Sequence, residues 1–172
     1  MSFKNKVVVI TGGAHGIGLC TADEFRKNGA HVCVIDASKG DHFVGDIGNK
    51  AVLEEFAKTV IDKFGRVDVL VNNAPPKMKG IDSCSWEEFQ EALSVGVTAP
   101  FYLSKLFAPF FAEGASIISI SSYITYCNFC IFCHFVNVFC QSFSAFFCRC
   151  WEVETDAYTV IDWVDTDVRY LN

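Results

Sequence analysis

Apolar positions along this chain recur in two patterns. The first is the short unbroken run. Val7-Val8-Val9-Ile10 is β-branched throughout and closed by Gly12-Gly13, which predicts a strand at 7–11 buried on both faces. Runs at 31–35, ending at Asp36, and at 67–71 predict two more strands, and 42–44 predicts a short one before Gly45-Asp46. The second pattern is helical spacing. Residues 17–27 read as a helix stopped by Asn28-Gly29. Asn49 caps another, whose Val52, Leu53, Phe56, Val60 and Phe64 fall mostly on one face, and Gly65 ends it. Ser85-Trp86-Glu87-Glu88 fits a capping box and opens a helix predicted to run to about Phe111. A fifth strand is predicted at 116–120, closed by Ser121-Ser122. Strands alternating with helices predict an α/β domain with a parallel sheet covered on both faces. Only residues 37–41 separate the second and third strands. Five extended residues reach at most about 17 Å, too short for the usual helical crossover, so an extended loop or a frayed third strand is expected.

The turn between the first strand and helix is Thr11-Gly12-Gly13-Ala14-His15-Gly16-Ile17-Gly18. Glycines let a backbone turn tightly and approach a pyrophosphate without a Cβ in the way. A helix beginning near Ile17 would offer free N–H groups and a positive dipole end to phosphates. Asp36 ends the next strand, near the spacing of about 20 residues expected for a ribose-binding carboxylate. Such a group accepts from a 2′-hydroxyl and repels a 2′-phosphate. Ala37 and Ser38 follow it, with no base immediately after, which favours NAD over NADP.

Four motifs in order resemble those of the short-chain dehydrogenase/reductase family. Thr11, Gly12, Gly16 and Gly18 match its Thr-Gly-x-x-x-Gly-x-Gly. Asp46-Ile47 is similar to the Asp-Val or Asp-Ile whose aspartate contacts adenine in that family. Asp68-Val69-Leu70-Val71-Asn72-Asn73-Ala74 matches all but the last position of Asp-x-Leu-Val-Asn-Asn-Ala-Gly, with Pro75-Pro76 in place of the glycine. Ser121-Ser122 fits the serine pair ending the fifth strand. The resemblance implies a Rossmann-type doubly wound parallel sheet over residues 1–122, with residues 123–172 as an incomplete C-terminal part of the same domain. It implies hydride transfer between a nicotinamide cofactor and a small carbonyl or alcohol substrate. The expected cofactor-binding residues are Gly12, His15, Gly16, Ile17, Gly18, Asp36, Asp46, Ile47, Asn72 and Ala74.

The family's catalytic set is Asn, Ser, Tyr and Lys. Ser122 matches the serine and is the expected catalytic residue. Gly96 stands at the asparagine position. Counting on from Ser122 places Phe135 and Phe139 at the tyrosine and lysine positions, and phenylalanine has no titratable group. Tyr158 is a second candidate, but Asp162 then takes the place of lysine, and a carboxylate there raises a phenol's pKa. No Tyr-x-x-x-Lys occurs in the chain. The alternative reading is therefore a nucleotide-binding remnant without catalysis.

Composition changes the picture at one place. From Gly114 to Cys148 there is no Asp, Glu, Lys or Arg, and six of the nine cysteines crowd into 127–150. Cys127-x-x-Cys130-x-x-Cys133-His134 lacks a second pair at zinc spacing, Cys148-x-Cys150 being a poor one, so no metal is expected. The stretch is long enough to span a bilayer, but Asn128, His134, Asn137 and Gln141 interrupt it, and no membrane segment is expected. It reads either as a replacement for the family's catalytic helix or as degenerate, out-of-frame sequence joined to a Rossmann half. The net charge of −6 argues against a nucleic-acid partner. No apolar leader with a small-residue cleavage site precedes Val7, so a cytoplasmic location with reduced thiols is expected. The family commonly dimerises through the helix matching 85–111. Here Phe101, Leu103, Leu106, Phe107, Phe110 and Phe111 give that helix apolar surface for a homodimer.

Overall fold

The computed structural model describes residues 3–77, 79–80 and 82–121, and the backbone of 160–165. β1 (Val7–Thr11) forms the centre of a sheet and is buried along its whole length. Its run of branched residues works because both faces are covered. Val7 and Val9 join one core cluster with Ile35, Leu53, Phe56, Val60, Leu103 and Phe107. Val8 and Ile10 join the other, with Ala22, Val34, Val69, Val71 and Ile118. The alternation is the two-residue period of a strand read against two helical layers.

α1 (Gly16–Lys27) leads to β2 (His31–Asp36), which pairs parallel to β1 with Val7 opposite His31 and Thr11 opposite Ile35. β3 is two residues long (Phe43–Val44) and pairs parallel to β2, Asp36 opposite Val44. The short connection therefore yields a minimal third strand reached by a loop, as its length requires. α2 (Lys50–Phe64) is capped by the Asn49 side chain, which accepts from the Ala51 N–H, and ends at Gly65 with φ 66°. β4 (Val67–Asn72) lies on the other side of β1 and is buried throughout.

The predicted helix 85–111 is not continuous. α3 (Trp86–Leu93) starts with the expected reciprocal capping box between Ser85 and Glu88. Residues Ser94–Thr98 then form a π-turn, in which the Ala99 N–H reaches back to the Ser94 carbonyl. α4 (Ala99–Phe107) carries Pro100 in its first turn. Proline has no N–H to return to the Gly96 carbonyl, so the regular four-residue ladder cannot pass through this point. A 3₁₀ turn (Ala108–Phe110) closes the helical stretch, and Phe111 already belongs to β5 (Phe111–Ser121). That strand starts earlier than predicted and is irregular at first. Its register on β4 jumps between Val67 opposite Phe111 and Val69 opposite Ser116, around Gly114 at φ 72°.

The strand order is β3-β2-β1-β4-β5-β6. The first five strands run parallel. β6 (Val160–Asp165) pairs antiparallel with β5, Ile117 opposite Val164. Trp163 and Val164 lie within it. Asp68 ties the sheet at the end opposite the glycine turn. It is 4% exposed and accepts from the Val7 N–H at 2.9 Å, from Lys6 Nζ at 2.9 Å and from the Arg66 guanidinium. Burial opposes its ionisation, but the Arg66, Val7 and Lys6 hydrogen bonds outweigh that and hold its carboxyl below the ordinary carboxylate value.

Candidate functional site

The C-terminal ends of β1, β2 and β4 meet around the turn that follows β1. The Gly12 N–H donates to the Ile35 carbonyl at 2.8 Å, anchoring the turn to β2. On the other side it is anchored to β4. Thr11 Oγ1 accepts the N–H groups of Asn73 (3.0 Å) and Ala74 (3.1 Å). The Asn73 amide nitrogen donates to the carbonyls of Thr11 (3.0 Å) and Gly12 (2.9 Å). Thr11 and Asn73 are motif residues that were not among the expected site residues; the signal for them in the sequence is a hydroxyl ending one strand and a second asparagine following its neighbour.

The glycines of the turn do different things. Gly12 takes φ +67°, and a Cβ there would stand 2.8 Å from Ala74 Cα. A Cβ on Gly18 would stand 2.2 Å from the Gly12 carbonyl oxygen and 2.5 Å from Asn73 Nδ2. Both are glycine because protein packs where a side chain would be. Gly13 is glycine for the same reason, against Val34. Gly16 is the exception: its φ is +52°, and nothing lies within 4 Å of its Cβ position. The open space is at the first residue of α1. His15, at the N-cap, makes no side-chain capping bond, and no acid occupies the first turn. An open cradle at an uncapped positive helix end fits a phosphate-bearing ligand. His15, Gly16 and Ile17 are all exposed there.

Asp36 lies beside this turn. Its Oδ2 accepts the Ala14 N–H at 3.0 Å, and its Oδ1 accepts the Ser38 N–H at 2.9 Å and the Ser38 hydroxyl at 2.7 Å. Burial disfavours the charged form, but the bonds from Ser38 and Ala14, helped by the charge of His42, hold its carboxyl below the ordinary value. Asp36 is therefore an anion at neutral pH, with three of about four acceptor positions of a carboxylate engaged by these bonds.

The remaining expected residues divide. Asp46 is exposed and accepts the Gly48 N–H at 2.8 Å just ahead of the α2 cap. Ile47 is 7% exposed and packs into the core cluster beneath α2. Its side chain belongs to the core, which leaves only its backbone for a ligand. Asn72 is 7% exposed, and its Oδ1 has no hydrogen-bond partner among the described residues. Ala74 packs on Gly12. Ser122, Phe135, Phe139, Tyr158 and the cysteines from Cys127 onward lie outside the described residues, as does the boundary at 122/123. Gly96 sits at the centre of the π-turn.

A parallel sheet with this strand order, a glycine turn opening at a helix N-terminus, and an acid ending β2 together define a Rossmann-type nucleotide-binding α/β protein. The family model described as short chain dehydrogenase matches residues 6–134, and the chain belongs to that family. An uncharacterized oxidoreductase of Thermotoga maritima is 36% identical over 141 residues, covering 71% of this chain and 55% of that protein. The solved 3-ketoacyl-(acyl-carrier-protein) reductase of Brucella melitensis, complexed with NADH, is 31% identical with a TM-score of 0.57, over 63% of this chain and 51% of that one. A Burkholderia cenocepacia short chain dehydrogenase in complex with NADP shares the fold at 23% identity and a TM-score of 0.65, over 69% of this chain and 56% of that one. The chain spans about half the length of the curated relative and of the solved structures it matches here.

Proposed function

We infer that this chain binds a nicotinamide dinucleotide, NAD(H) in preference to NADP(H), as an oxidoreductase acting on a small carbonyl or alcohol. The observation that carries the reading is the ionised Asp36 carboxylate held against Ala14 of the glycine turn. An anion there accepts from a ribose 2′-hydroxyl and repels a 2′-phosphate. The relative complexed with NADH supports the same cofactor. His15, Gly16 and Ile17 hold the pyrophosphate at the α1 N-terminus, and Gly12 and Gly18 let the turn pack closely enough to present it there. Asp46 and the Ile47 backbone border the adenine, Asn72 and Ala74 line the β4 side, and Ser122 orients the substrate oxygen. The bound cofactor supplies the hydride chemistry; the protein supplies position and charge. Calorimetry on the full chain tests this: NADH is expected to bind tighter than NADPH, and the reverse order overturns the Asp36 assignment.

A second reading has its own observation. Phe135 and Phe139 stand where the family places its tyrosine and lysine, which favours a protein that binds the dinucleotide without turning it over. A homodimer through α3 and α4 is also part of this proposal. It differs from the surface expected from sequence, because Leu103 and Phe107 are buried in the chain's own core, and Phe111 lies in β5. The exposed aromatics there are Trp86, Phe89, Phe101 and Phe110. No helix among the described residues is long and apolar enough to cross a membrane; a cytoplasmic location stays a proposal.

A further inference from the structure

The loop between β2 and β3 extends the hydrogen bonds of Asp36 through Ser38 to His42. Ser38 gives both its N–H and its hydroxyl to Asp36 Oδ1. The Ser38 carbonyl lies 3.0 Å from His42 Nε2, so the ring donates to it when that nitrogen carries a proton. Gly40 makes the ring's position available. A Cβ at 40 would stand 2.4 Å from His42 Cε1 and 2.6 Å from Nδ1. The far end of the loop is pinned as well, by the Gly45 N–H on the Asp36 carbonyl at 2.9 Å and by the pairing of Asp36 with Val44.

We propose that His42 is a positioning residue for cofactor selection: through Ser38 it fixes the Asp36 carboxylate, so that Oδ2, shared with the Ala14 N–H, meets a ribose 2′-hydroxyl. This rests on the cofactor reading above. A carboxylate on a short tether can rotate, and a rotated one no longer aligns with a hydroxyl donor, because hydrogen bonds weaken steeply with angle. Its repulsion of a 2′-phosphate depends on distance and survives rotation. Loosening the loop therefore lowers affinity for the 2′-hydroxyl cofactor more than for the 2′-phosphate cofactor. Lys39 and Asp41 flank the relay with opposite charges and stay unchanged in the variants below.

The experiment is NADH and NADPH binding to the full chain, followed by fluorescence, for the wild type, His42→Ala, His42→Gln and Gly40→Ala. His42→Ala and Gly40→Ala are expected to lower NADH affinity about fivefold, the worth of one misaligned hydrogen bond, and NADPH affinity much less. His42→Gln, which keeps a donor for the Ser38 carbonyl, is expected to restore the NADH-to-NADPH ratio to within about twofold. A merely structural role would lower both affinities together, and that result overturns the proposal. So does an unchanged ratio in His42→Ala in a protein whose wild type prefers NADH, an outcome that leaves the cofactor reading standing. A wild type that binds neither nucleotide overturns both. Should His42→Ala fail to fold, Gly40→Ala displaces the ring without removing it, and an unchanged NADH-to-NADPH ratio there overturns the proposal.

Discussion

Thr11 and Asn73 hold each other across 62 positions of sequence. The Asn73 N–H donates to the Thr11 hydroxyl, and the Asn73 side chain donates back to the Thr11 carbonyl, both at 3.0 Å. The pair clamps the glycine turn to the end of β4. Thr11→Val keeps the shape of the side chain but leaves the N–H groups of Asn73 and Ala74 without their acceptor. It is expected to cost about 2 kcal/mol in urea unfolding, whereas Thr11→Ser, which keeps the oxygen, is expected to cost less than about 1 kcal/mol. Equal losses in the two variants would show that packing, not the hydroxyl, sets this clamp.

Gly16 and Gly18 are expected to separate stability from binding. An alanine at Gly18 drives its Cβ into the Gly12 carbonyl and the Asn73 amide, and overpacking of this kind costs about 3 kcal/mol. Gly16→Ala meets nothing within 4 Å and carries only the left-handed backbone cost, about 1–2 kcal/mol. Its methyl enters the space assigned to the phosphates, so NADH affinity is expected to fall far more than stability does. Paired urea and calorimetry curves test this; undiminished NADH binding by Gly16→Ala would place the phosphates elsewhere.

Asp68 makes stability depend on pH in one direction. Its carboxyl titrates below the ordinary value in the folded chain. The stabilisation is therefore present above the unfolded value, about 3.9, and is lost as pH falls through the lower folded value. Asp68→Asn is expected to be less stable at pH 7, with a shallower decline as pH falls below about 4. A mutant whose acid limb parallels that of the wild type would assign the acid sensitivity to other carboxylates.

If the chain binds the dinucleotide without turning it over, turnover is very low. Reduction of a carbonyl leaves an alkoxide that needs a proton, and a positioned general acid is worth about a hundred- to ten-thousand-fold in rate. Phe135 and Phe139 cannot supply it, and Gly96 has no side chain to support a proton relay. NADH oxidation with a panel of ketones and aldehydes is expected to stay below about 1 s⁻¹. A faster rate, lost in Ser122→Ala, would show that another group in the chain delivers the proton.

Most strands and helices were legible in the amino-acid order because their signals are local. An apolar run, the Asn49 cap, the Gly65 stop and the Ser85–Glu88 box each act within a few residues, and the structure places each where the sequence predicts it. Where local signals conflict, the fold departs from the prediction. Helical spacing ran on through Pro100, but the missing N–H breaks the ladder into a π-turn; and Phe111 had helical spacing yet pairs with Val67. The candidate site was half legible. Gly12, Gly16, Gly18 and Asp36 stand out by type and spacing. That Gly18 is needed for packing and Gly16 faces open space, that Asn73 holds the turn, that Ile47 is core, and that His42 reaches Asp36 through Ser38 were decided only by the fold. These depend on which strand ends and loop residues the parallel sheet brings together. That is set by burial of both sheet faces at once, and no local stretch of sequence contains it.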